Sequence, residues 1–60
     1  MKKYARIIKF LIKKQWTEAE IAISCDSSQP TINRIKNGKA KTIKGVTAEK
    51  LERIYKAWKK

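Results

Sequence analysis

The chain has 60 residues, with 16 Lys plus Arg against five Asp plus Glu, a formal net charge of +11, one Cys and no His. That length supports one domain with a small core, because a chain of this size buries only about 60% of its unfolded surface. A lone Cys excludes an intrachain disulfide and fits a reducing compartment, the missing His removes the usual zinc ligand sets, and no apolar run approaches the ~18 residues of a membrane span.

In chain order, residues 3–14 are expected to form the first helix. Tyr4, Ile7, Ile8, Leu11 and Ile12 fall at i, i+3, i+4, i+7, i+8, an apolar stripe with Lys and Arg on the remaining positions. Phe10 falls off the stripe and is expected to be partly exposed, at the core edge or in a subunit contact. Trp16 is placed to plug one end of the core. The opening MKKYARIIKFLIKK fails as a signal peptide, since Arg6 and Lys9 interrupt its apolar part and no small-residue cleavage site follows.

Thr17 with Glu20 reads as a capping box opening a helix over 18–25. Ile21, Ala22 and Cys25 share its inner face, and Cys25 is read as a small buried hydrophobe. Asp26-Ser27-Ser28 supplies turn chemistry, with Asp tolerant of the left-handed conformation. Ser28 caps a helix over 29–36, with Pro30 in its first turn, where a missing N–H costs little. Ile32 and Ile35 point inward, and Asn37-Gly38 stops the helix with Gly where φ > 0 is usual. Residues 37–46, NGKAKTIKGV, read as a loop. Thr47 is expected to cap a last helix over 48–58 with the stripe Leu51, Ile54, Tyr55, Trp58. Glu49 and Glu52 near its start and Lys56, Lys59 and Lys60 near its end suit the helix dipole. The predicted fold is all-α, a four-helix bundle in one domain over 1–60, built around two short helices joined by a tight turn.

Charge is unevenly distributed. Lys2, Lys3, Arg6, Lys9, Lys13 and Lys14 precede an acidic interval that holds Glu18, Glu20 and Asp26 and no base. Arg34, Lys36, Lys39, Lys41 and Lys44 then follow without an acid. A field of this sign favours a polyanion, either nucleic acid or an anionic membrane surface. With Ile32 and Ile35 inward, Gln29, Pro30, Asn33 and Asn37 point outward, flanked by Arg34 and Lys36. A helix of this kind fits the DNA major groove, where amides bind adenine N6 and N7. Gln29 at the helix start is best placed to read a base, with Asn33 one turn on. Arg34 would read guanine or hold phosphate, and Ser28 and Thr31 would bond phosphate oxygens.

The stretch Thr17–Lys39 resembles the helix-turn-helix of the phage Cro and lambda-type repressor (XRE) family, whose pattern is roughly T-Q-x-E-L-A-x-x-x-G-V-S-x-x-T-I-S-R-I-E-N-G. Thr17, Glu20, Ile21, Ala22, Ser28, Thr31, Ile32, Arg34, Ile35, Asn37 and Gly38 match in place. The resemblance implies an all-α bundle and a sequence-specific transcriptional regulator, usually a dimer on a near-palindromic operator. It also puts Gln29 where the family often has a base-reading Gln, and Asn37, Lys39 and Lys41 on backbone phosphate. The full set expected on DNA is Gln29, Pro30, Asn33 and Arg34 at base edges, with Thr17, Ser28, Thr31, Lys36, Asn37, Lys39, Lys41 and Lys44 on the backbone. The family's Gln at the start of the second helix is Glu18 here. A carboxylate there would be repelled by phosphate, so that role does not carry over. Asp26 replaces the turn Gly, Ser27 an apolar turn residue and Lys36 a Glu. With one helix beyond the motif, the chain matches short, Cro-like regulators without an effector domain.

The expected function is therefore a Cro-like repressor of phage or prophage type, acting in a bacterial cytoplasm as a homodimer on double-stranded DNA, with no cofactor, metal, small-molecule ligand or membrane partner. The alternatives are an architectural, excisionase-like or RNA-binding protein, and a membrane-active cationic peptide suggested by the basic amphipathic first helix. No nucleophile–base pair, metal cluster or phosphate-cradling Gly loop supports catalysis, so a non-enzyme is expected.

Overall fold

Four helices make up the computed structural model, which describes residues 2–59: α1 Lys2–Lys13, α2 Glu18–Ser24, α3 Gln29–Lys36 and α4 Gly45–Trp58. The architecture is all-α, with no strand among the described residues. α1 packs on both α3 and α4, and α3 also packs on α2. Ile7, Ile8 and Leu11 of α1 meet Ile21 and Ala22 of α2 with Cys25 at its end, Ile32 and Ile35 of α3, and Leu51 of α4 in one buried cluster. These are the inward positions of each predicted stripe. Tyr4, Ile12, Ile54 and Tyr55 are half-buried around it.

The aromatic residues close the rim. Phe10 is half-buried and meets Tyr55 edge-on, with ring centroids 5.1 Å apart and planes at 83°. Trp16 meets Trp58 in the same manner at 5.7 Å and 80°. Such pairs add a little beyond the area they bury. They join α1 and the link after it to the end of α4.

Three helices end in the same way, with a left-handed residue just past the helix and a pair of reversed hydrogen bonds. The N–H groups of Gln15 and Trp16 donate to the carbonyls of Ile12 and Leu11 (3.0 and 3.1 Å). Those of Asp26 and Ser27 donate to Ile23 and Ala22 (3.4 and 2.8 Å), and those of Gly38 and Lys39 to Ile35 and Arg34 (3.1 and 2.9 Å). The left-handed residues are Gln15, Asp26 and Gly38, at φ 76°, 55° and 72°. Asp26 and Gly38 lie where their residue types foretell. Gln15 carries no such signal.

The start of α4 departs from the sequence expectation. α4 begins at Gly45, so the preceding loop is 37–44, and Thr47 lies inside the first turn rather than capping it. Its hydroxyl is buried and donates to the Cys25 carbonyl at 3.1 Å. Lys44 is the cap residue and makes no side-chain cap bond. The first turn therefore carries no acid. Glu49 instead pairs with Arg53 at 2.9 Å, while Glu52 accepts from Lys3 Nζ at 3.1 Å and the Tyr4 hydroxyl at 3.0 Å. Lys60 lies outside the described residues.

Candidate nucleic-acid interface

The corner between α2 and α3 is made by local hydrogen bonds. The Thr17 hydroxyl accepts from the Glu20 N–H at 3.1 Å, and the Glu20 carboxylate accepts from the Thr17 N–H at 2.8 Å. This is the predicted capping box. Ser28 caps α3 by accepting from the Thr31 N–H at 3.4 Å, and the two hydroxyls lie 2.9 Å apart. Pro30 sits in the first turn of α3. At the back of the corner the Thr47–Cys25 bond occupies a carbonyl left free at the end of α2, and Lys50 reaches Asp26 at 3.5 Å. The angle between α2 and α3 is thus held by caps, by the left-handed Asp26 and by α4.

Ile32 and Ile35 are fully buried, which fixes the rotation of α3. Gln29, Pro30, Thr31, Asn33, Arg34 and Asn37 are exposed. Gln29, Asn33 and Asn37 are spaced four apart, and the Asn37 amide donates to Asn33 Oδ1 at 3.1 Å. A row of amides therefore runs along the outer face of α3, with Arg34 beside it.

Glu18 enters this row from α2. Its Oε2 accepts from Lys36 Nζ and from Asn33 Nδ2, the latter at 3.3 Å. The Lys36 ammonium holds the Glu18 carboxyl below the ordinary carboxylate range; partial burial opposes this, and the amides of Asn33 and Gln29 reinforce it. Lys36 and Asn33, two residues expected on DNA, are thus turned toward a carboxylate of the same chain. The pairing spans 18 positions between helices, so local spacing does not reveal it.

The loop 37–44 is anchored by Ala40 and Ile43, which tuck against the core. Lys41 and Thr42 stand outward between those anchors, and Lys39 and Lys44 stand outward on either side of them. Thr31, Arg34, Lys39, Ala40, Lys41 and Thr42 line an open hollow of about 400 Å³ on this side of α3. Arg34, Lys39 and Lys41 therefore converge on one concave surface, joined by Thr42, which sequence reading left out. Lys44 lines a neighbouring hollow with Ser28 and Thr31. Thr17 is exposed at the start of α2, 12 residues of sequence from α3 and lining neither hollow.

Each acid among the described residues is engaged within the chain. Glu18 pairs with Lys36, Glu20 closes the capping box, Asp26 meets Lys50, Glu49 meets Arg53 and Glu52 meets Lys3. Arg34, Lys39, Lys41 and Lys44 form no ion pair among the described residues. The face of α3 and the loop after it thus combine neutral donors and acceptors with unpaired cations. Among the described residues no group of acids, Cys or His is arranged to hold a metal ion, and no helix is long and apolar enough to cross a membrane. Comparison of the chain with protein-family models, with curated proteins and with solved structures returned no match.

Proposed function

We propose that this chain is a sequence-specific double-stranded DNA-binding regulator of transcription, a Cro-like repressor that lays α3 in the major groove of an operator. One observation carries this reading. The exposed face of α3 presents Gln29, Pro30, Asn33 and Arg34 between a capped corner and a loop whose unpaired Lys39 and Lys41 share a hollow with Arg34. Amides of this kind can satisfy adenine by two hydrogen bonds, and Arg34 can satisfy guanine. Lys39, Lys41, Lys44, Ser28, Thr31, Thr17 and Asn37 would hold backbone phosphates on either side and set the register. The likeness of Thr17–Lys39 to the Cro and lambda-type repressor motif supports the same docking.

In this reading the protein works as a homodimer in a bacterial cytoplasm, its two α3 helices about 34 Å apart to meet successive major grooves. No catalytic step, cofactor or small ligand enters. Selection from random duplex DNA with purified protein at physiological salt tests the reading. Enrichment of one motif, as an inverted repeat with half-sites about one helical turn apart, is the expected result. Retention of DNA without an enriched motif would point to an architectural or RNA-binding role instead.

A further inference from the structure

The basic outer face of α1 is not used by the docking just described. Ile7, Ile8 and Leu11 are buried, so the opposite side of the helix faces solvent. At about 100° per residue, Lys2, Arg6, Lys9 and Lys13 fall within an arc of about 60° directly opposite the core. All four are exposed, and none forms an ion pair among the described residues. They form a line of about 16 Å along the helix, from 1.5 Å of rise per residue.

This arrangement works against the helix that carries it. Lys2–Arg6, Arg6–Lys9 and Lys9–Lys13 are like-charge neighbours three or four residues apart, a destabilising spacing. α1 has no acid in its first turn, where Lys2 and Lys3 instead meet the positive end of the dipole. A local rule broken twice on one surface marks a functional face.

The stripe also adjoins the candidate interface. Lys2, Ala5 and Lys9 line an open hollow of about 460 Å³ together with Lys36, Asn37 and Gly38, at the C-terminal end of α3. Lys36 is committed to Glu18, so the hollow's unpaired cations are Lys2 and Lys9, both from α1. The hollow thus connects Asn37, at the end of α3, with Lys2 and Lys9 of the α1 stripe.

We propose that the Lys2–Arg6–Lys9–Lys13 face of α1 is a second, sequence-independent DNA surface that takes the phosphate backbone flanking the site read by α3. This rests on the DNA-binding reading above and lengthens its footprint. The test uses two duplexes, one trimmed to the sequence recovered by selection and one carrying about one further helical turn at each end. The intact protein is compared with a variant bearing Lys2→Gln, Arg6→Gln, Lys9→Gln and Lys13→Gln. Circular dichroism and a thermal melt come first; the variant should melt no lower than the parent, since like-charge pairs are removed. On the long duplex the variant should bind roughly tenfold or more weakly, with a salt slope shallower by about 2 to 3, at about 0.9 per phosphate contact. On the trimmed duplex the two proteins should agree.

Equal affinities on both duplexes would overturn the proposal, as would an equal loss on both, which would place α1 inside the site. Joining of two separate duplexes by the parent but not the variant would overturn it in favour of bridging. Loss of binding only to phosphatidylserine vesicles would overturn it in favour of a membrane surface. Failure of the parent to bind either duplex would overturn the DNA-binding reading itself, an outcome distinct from all the others.

Discussion

The Thr47 hydroxyl donates to the Cys25 carbonyl at 3.1 Å, and both residues are buried. This bond ties the first turn of α4 to the corner between α2 and α3. An unmatched carbonyl in that position costs about 1–3 kcal/mol. Thr47→Val keeps the volume and removes the donor, so it should destabilise by about that amount. For a domain of this length each kcal/mol lowers Tm by roughly 4–8 °C. Thr47→Ser, which keeps the hydroxyl, should lose less. A melting curve of each variant checks this, and equal melting of Thr47→Val and the parent would deny the bond any role.

The same pair shows where the fold was legible in sequence. Ile21, Ala22, Cys25, Ile32 and Ile35 lie at helical spacing and are all buried, because periodicity directly reports which side of a helix avoids water. Thr17 with Glu20 and Ser28 were readable as caps because each satisfies free N–H groups within its own turn. Thr47 looks the same in sequence, yet its hydroxyl bonds across the core, and a preference for helix starts does not separate a cap from a tertiary contact. Gly45 and Val46 read as loop for that reason. Gln15 at φ 76° was equally hidden, since it sits there in the hydrogen-bonded end of α1 without a residue type that favours the conformation. In the candidate interface, the outward face of α3 followed from Ile32 and Ile35. The Glu18–Lys36 pair and the anchoring of the loop by Ala40 and Ile43 depend on how helices meet.

Glu18 restrains Lys36 and Asn33 on the face proposed to meet DNA. Glu18→Gln removes the charge that holds Lys36. Binding to DNA of any sequence should tighten, and the salt slope should steepen by about 0.9 if Lys36 then reaches one phosphate. Fluorescence anisotropy over a salt series measures both, and an unchanged slope would mean that Lys36 does not turn to DNA.

Glu18 and Glu52 both have lowered carboxyl pKa values, Glu18 through Lys36 and Glu52 through the hydrogen bonds of Lys3 and then Tyr4. A group whose pKa is depressed on folding stabilises the fold above its unfolded value, about 4.3 for Glu, and loses that contribution as pH falls through the folded value. Tm should therefore be level from neutral pH to about pH 5 and decline below it. The effect is small, since solvent screens partly exposed pairs. Melting a Glu18→Gln, Glu52→Gln double variant across the acid range should show a flatter decline than the parent.

Gln15 and Gly38 occupy the same left-handed position at the ends of α1 and α3, at φ 76° and 72°. A side chain costs about 1–2 kcal/mol in that region, while Gly adopts it freely. No atom lies within 4 Å of a Cβ built on Gly38, so Gly38→Ala should be destabilising by backbone strain alone, about 1 kcal/mol. Gln15→Gly should act in the opposite sense and raise Tm, by less because Gly also gains freedom in the unfolded chain. Thermal melts that moved both variants in one direction would contradict the shared geometry.

Gln29 and Lys39 separate recognition from attraction. Gln29 is exposed at the start of α3, and Lys39 lines the hollow beside Arg34. Gln29→Ala should cost ~1–3 kcal/mol on the selected site and relax preference at one base pair, leaving binding to unrelated DNA nearly unchanged. Lys39→Ala should weaken binding to all duplexes alike and reduce the salt slope by about 0.9. Affinities on the selected site and on each single-base variant, taken over a salt series, resolve the two patterns. A uniform loss for Gln29→Ala would remove Gln29 from base readout, and an unaltered slope for Lys39→Ala would remove Lys39 from the phosphate contacts. If both behaved like Lys39, α3 would be an electrostatic surface, and the proposed reading of sequence by its amide row would fall.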